Sequence, residues 1–114
     1  MDVSQARFEQ LVADALDSLP ESLGRLMDNV WVTVEDVDAE GRRLLGLYEG
    51  VPLTARESYG GLALPDRITI FRLPICAHCR TEEEVVETVR ETVIHEVAHH
   101  FGIDDDRLDE LGWA

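Results

Sequence analysis

Residues 95–99 read His95-Glu96-Val97-Ala98-His99, an H-E-x-x-H arrangement. On a helix, side chains four residues apart leave the same face about one turn apart, so both imidazoles can reach one Zn²⁺ ion. Glu96 stands beside the first histidine, where its carboxylate can hold a water rather than complete the coordination. Zinc lowers the pKa of such a water from about 15.7 toward roughly 7, and Glu96 takes its proton. Attack on a peptide carbonyl can follow, with the same carboxylate handing the proton on to the leaving amine. Phe101-Gly102 end the helix, and glycine tolerates the left-handed conformation that turns the chain back. Asp105, six residues beyond His99, can then approach the ion from the far side. Two histidines, one aspartate and an open fourth position describe a catalytic zinc site rather than a structural one.

The neighbours have plainer readings. Val93, Ile94, Val97 and Ala98 surround the histidines with apolar residues, and this predicts that the pair faces inward. Asp104 reads as the cap of a following helix and Asp106 as a solvated acid. His100 reads as outward or capping. Cys76-Ala77-His78-Cys79 allows three chemistries: a second metal, a redox pair, or a strained local disulfide. A lone C-x-x-C outside a βαβ context is weak evidence for any of them, and two small, partly buried loop residues are the simpler account. Glu82, Glu83, Glu84, Glu87 and Glu91 read first as a solvated helix face. As an acidic rim they would favour cationic peptides.

The elements that must position these groups follow from periodicity and caps. Phe8, Leu11, Val12, Ala15, Leu16 and Leu19 form one apolar stripe of a helix capped by Ser4. Ser18-Leu19-Pro20-Glu21 reads as a second start signal, opening a short helix over about 20–26. Val30–Glu35 is β-branched and aromatic, a strand. Residues 36–43 turn, and 44–51 form a second strand whose two glycines suggest bends or close backbone approach. Residues 52–66 read as loop, and Arg67 to Leu73 as an alternating third strand. That strand could pair with an extended peptide if it lies at the sheet edge. Residues 74–80 read as a loop holding both cysteines. Thr81-Glu82-Glu83-Glu84 is a capping box that opens the long helix, and a last helix spans about 105–111. Helices before and after a small sheet describe an α+β domain.

The whole string over 95–105, H-E-x-x-H-x-x-G-x-x-D, resembles the metzincin zinc signature, with aspartate where most members have histidine. With its small size and its sheet ahead of the motif helix, the chain resembles the minimal zincins. These are compact bacterial zinc metallopeptidases that lack the large second subdomain. The likeness is motif-specific over 95–105 and extends to 44–53 and 67–73. It implies a zincin-like fold, with a small sheet packed on the active-site helix. It also implies His95, His99 and Asp105 as zinc ligands, Glu96 as catalytic base, and a peptide substrate. One departure stands out: metzincins carry a methionine turn after the motif, whereas Met1 and Met27 both precede it here. No tyrosine follows the motif to stabilise an oxyanion, which leaves Tyr48, Tyr59 and Arg72 as candidates by type alone. The alternative is a zinc-binding interaction or regulatory module with little or no proteolysis.

Composition bounds the partners. The 114 residues make one domain of ordinary size. Ten basic residues, all arginine, stand against 24 acidic ones, and the net charge of −14 disfavours nucleic acid and anionic membranes. A peptide substrate is expected to be basic. No apolar run reaches the roughly 18–20 residues of a membrane span. The N-terminal residues lack a signal peptide's basic start and apolar stretch, so the expected compartment is the cytoplasm.

Overall fold

Ser4 starts the first helix in the computed structural model, which describes residues 1–50 and 65–113. The Ser4 hydroxyl accepts a hydrogen bond from the Arg7 N–H, and α1 (Gln5–Asp17) buries Phe8, Leu11, Val12 and Ala15, as the stripe predicts. Ser18 does not open the next helix. Its hydroxyl donates to the Ala15 carbonyl at 2.7 Å and closes α1 instead, while α2 (Glu21–Leu26) begins after Pro20 without a side-chain cap. As N-cap, Pro20 offers no side-chain acceptor, and its carbonyl takes the Leu23 and Gly24 N–H groups at 3.1 and 3.0 Å.

Three strands follow: β1 (Val30–Glu35), β2 (Gly46–Glu49) and β3 (Asp66–Phe71). The sheet order is β1-β3-β2, with β1 parallel and β2 antiparallel to β3. The central place of β3 corrects two expectations. Both its edges are taken, so it cannot receive a peptide, and edge pairing falls to β1 or β2. Its alternation does not divide core from solvent either, since Ile68, Thr69, Ile70 and Phe71 are all buried. The expected loop over 52–66 and Tyr59 lie outside the described residues, apart from Pro65 and Asp66, and Asp66 belongs to β3.

The third strand also ends sooner than expected. At Arg72 the chain turns into α3 (Arg72–His78), where the sequence suggests more strand and then a loop. Pro74 sits in its first turn, where a helix N–H has no intrahelical partner to lose. Thr81 then caps α4 (Glu82–His100) by accepting from the Glu84 N–H at 3.1 Å. Asp104 caps α5 (Asp105–Leu111) by accepting from the Arg107 N–H at 2.8 Å. Among the described residues this is an α+β fold of five helices and a three-stranded mixed sheet, and none of the helices is long and apolar enough to cross a membrane.

Buried residues of α1, β3 and α4 form one apolar cluster, with Val85, Val89, Val93 and Val97 supplied by α4. Arg7 clasps Glu82 through two nitrogens at 2.8 and 2.9 Å, tying α1 to the start of α4. That hydrogen bonding holds the Glu82 carboxyl below its ordinary range. Gly46 lets β2 lie directly on α4. A Cβ there would stand 2.6 Å from Thr92 Cγ2 and 3.2 Å from the Thr69 carbonyl oxygen. Threonine is stiff at χ1 and the carbonyl is backbone, so neither yields easily. Gly46→Ala should therefore cost about 1–3 kcal/mol. An unchanged urea midpoint would show that the strand has slack to move.

Candidate metal centre

The end of α4 determines where the downstream acids arrive. The Gly102 N–H donates to the His99 carbonyl at 3.2 Å and the Ile103 N–H to the Ala98 carbonyl at 2.8 Å. With Gly102 at φ +69°, these two bonds make a Schellman termination. The reversal folds α5 back over the last turn of α4. His95 and His99 from α4 then share one cavity of about 430 Å³ with Asp104 and Asp105, over a floor of Ala98 and Leu108.

The expectation that the histidines face inward needs correction. His95 and His99 are both exposed, while Val93, Ile94, Val97 and Ala98 are buried. Apolar residues next in sequence mark the opposite side of a helix as readily as the same side, because each step rotates by about 100°. The histidines therefore stand at the mouth of an open cavity.

Glu96 lies on the adjoining face. It is half-buried, and its Oε1 accepts a hydrogen bond from the Tyr48 N–H of β2 at 3.2 Å. It does not line the cavity shared by His95, His99 and Asp105. His100, four residues on, shares its face and stacks on the Tyr48 ring, with centroids 3.9 Å apart and planes 19° from parallel. The last two turns of α4 thus carry two i,i+4 pairs with different neighbours. His95 and His99 meet the cavity and α5, whereas Glu96 and His100 meet β2.

Tyr48 also donates its hydroxyl to Asp66 Oδ2 at 2.8 Å, and His100 Nε2 lies 3.8 Å from the same oxygen. Asp66 and the stacking role of His100 carry no sequence signal, since three separate elements supply the partners. Arg72 falls away as an oxyanion candidate. Its guanidinium binds Asp36 Oδ1 at 2.9 Å and the Val3 carbonyl at 2.6 Å, and it is absent from the cavity lining.

The cysteines are buried free thiols: Cys76 lies within α3, not in a loop, and Cys79 follows the helix as its C-cap in extended backbone. Burial pushes the Cys76 thiol up, which makes a poor nucleophile and a reluctant ligand. Cys79 Sγ lies 3.4 Å from Thr88 Oγ1, and neither cysteine lines the histidine cavity. Along α4, Glu83, Glu84, Glu87 and Glu91 are exposed.

In kind, the donor set suits zinc: two imidazoles and a carboxylate around one open cavity. Among the described residues, however, no three His, Cys, Asp or Glu side chains already stand together as a cation site. The groups share a cavity and must rotate toward one another to hold an ion.

Comparison with known proteins gives a family and a fold. The model of the zincin-like metallopeptidase family matches residues 27–113. No curated protein matches the chain. A solved structure of a conserved hypothetical protein from Thermo thermophilus is similar, with a TM-score of 0.56 and 20% identity. The likeness covers 87% of this chain and 94% of that one, and at this identity it speaks for the fold alone.

Proposed function

The chain belongs to the zincin-like metallopeptidase family, and from that we propose that it is a zinc-dependent peptidase acting on basic peptides in the cytoplasm. His95, His99 and Asp105 hold the ion, and Glu96 is the general base. The observation that carries the reading is the cavity lined by all three donors across the Gly102 reversal. Zinc bound there supplies a Lewis acid for the peptide carbonyl and acidifies a water.

The residues do the rest. Glu96 takes a proton through its carboxylate and later returns it to the leaving amine. An extended peptide pairs along an outer strand of the sheet, since β3 is central. The exposed glutamates of α4 favour cationic residues in that peptide. Two buried free thiols suit a reducing compartment.

A second reading, a zinc-binding module with little proteolysis, draws support from the exposure of both histidines. Walls made of the end of α4, the start of α5 and the reversal between them offer little to grip a substrate.

The test compares zinc-loaded and chelator-stripped protein on a peptide library containing matched basic and acidic sequences, read by mass spectrometry. Cleavage that needs zinc and favours basic sequences is expected. Zinc uptake without cleavage would hand the case to the binding module, and no zinc uptake would sink both readings.

A further inference from the structure

We infer that Tyr48 is a positioning residue for Glu96, held in place by the stack of its ring on His100. The inference rests on the reading of Glu96 as the base. A carboxylate on a helix surface samples several rotamers, and a proton acceptor must keep one. Here the Tyr48 N–H tethers Oε1 at 3.2 Å. Hydrogen bonds from backbone N–H to an ionised carboxylate belong to the stronger class, and one oxygen so held fixes the direction of the other.

The tether works only if β2 keeps its distance from α4, and both the hydroxyl and the ring of Tyr48 are anchored. Its hydroxyl donates to Asp66 Oδ2 at 2.8 Å, at the start of β3. Its ring lies 3.9 Å from the His100 ring, one turn beyond Glu96 on the same helix face. Gly50 belongs to the arrangement, since a Cβ there would lie only 3.2 Å from His100 Cε1. Helix, strand and base therefore form a closed loop: Glu96 holds the Tyr48 backbone, and His100 holds the Tyr48 side chain. This accounts for His100 as a residue beside the ligands that serves Glu96 instead of the ion.

The test needs no substrate at its first stage. In ¹⁵N-labelled protein without zinc, Glu96→Ala should shift the Tyr48 amide resonance upfield and speed its hydrogen exchange at least about tenfold, as loss of an ionic acceptor requires. His100→Ala should produce the same change with Glu96 intact, and His100→Phe, which keeps the stack, should restore the wild-type position. Tyr48→Phe removes the hydroxyl's bond to Asp66 while keeping the ring on His100, and should give a smaller shift. Unchanged α1 amides serve as the folding control. A Tyr48 amide indifferent to His100→Ala, or a failed rescue by phenylalanine in a folded protein, overturns the inference.

The second stage uses whichever peptide zinc-loaded wild type cleaves. There His100→Ala should lower kcat by about 10- to 100-fold, the scale of a misplaced catalytic group, with KM within about twofold. His100→Phe should recover most of it. Absence of cleavage by wild type overturns the peptidase reading, and the amide resonance still decides whether Tyr48 positions Glu96.

Discussion

Glutamine in place of Glu96 should leave zinc uptake unchanged and cut peptide turnover by about 10²–10⁴-fold, the usual contribution of a general base. The substitution preserves shape and one carbonyl oxygen, so the hydrogen bond from the Tyr48 N–H at Oε1 can persist. What disappears is the capacity to accept a proton. The loss should therefore fall on kcat, with KM nearly unchanged, the signature of an interaction needed only in the transition state. Isothermal titration with zinc and single-turnover cleavage separate the two quantities. Turnover within a few-fold of wild type would remove Glu96 from its role, and a fall in zinc affinity would make it a ligand. Side-chain geometry speaks against the latter, since Glu96 faces β2 and does not line the cavity of His95 and His99.

Local chemistry made part of this molecule legible in advance. The stripe from Phe8 to Ala15 buries as read because a helix repeats its face every 3.6 residues and the core selects that face. Thr81, Asp104 and Gly102 end or begin helices as read, because capping depends on groups two to five residues away. Those same short-range rules bring Asp105 near His95 and His99. Pairing across the sheet was not legible in this way. The central place of β3 joins residues 30–35 to 66–71, and nothing local in either segment specifies the partner. Asp66 escaped notice for the same reason, its role being set by a tyrosine 18 positions away. The turn into α3 at Arg72 is a different case, since the alternation of Arg67 to Leu73 runs on past the point where the helix begins. The histidines show how a motif and its environment separate: spacing specifies that 95 and 99 share a face, but only the packing of α4 says that this face is open.

The other large effect should come from zinc itself. On the proposed ligand set the ion joins α4 to α5 across the Gly102 reversal, binding the folded chain and not the unfolded one. Zinc at 100 times its dissociation constant then adds about 2.7 kcal/mol of stability. For a domain of this size that raises Tm by roughly 10 °C. His95→Ala and His99→Ala should each abolish the shift, since two remaining donors do not make a three-ligand site. Asp105→Asn should remove most of it by replacing a charged ligand with a neutral one. Two neighbours provide the contrast. Asp104→Asn still caps α5, because asparagine accepts the Arg107 N–H as well as aspartate does, and the zinc shift should survive. Asp106→Asn should also leave it intact, as should Cys76→Ser and Cys79→Ser, whose thiols lie away from the cavity. Thermal melts with and without zinc read every variant against its own metal-free form, which separates ligand loss from simple destabilisation. A shift retained by His95→Ala would break the ligand assignment. A shift lost in Asp106→Asn but kept in Asp105→Asn would move the third ligand one residue along α5, where the reversal would have to bring a different side chain over His99.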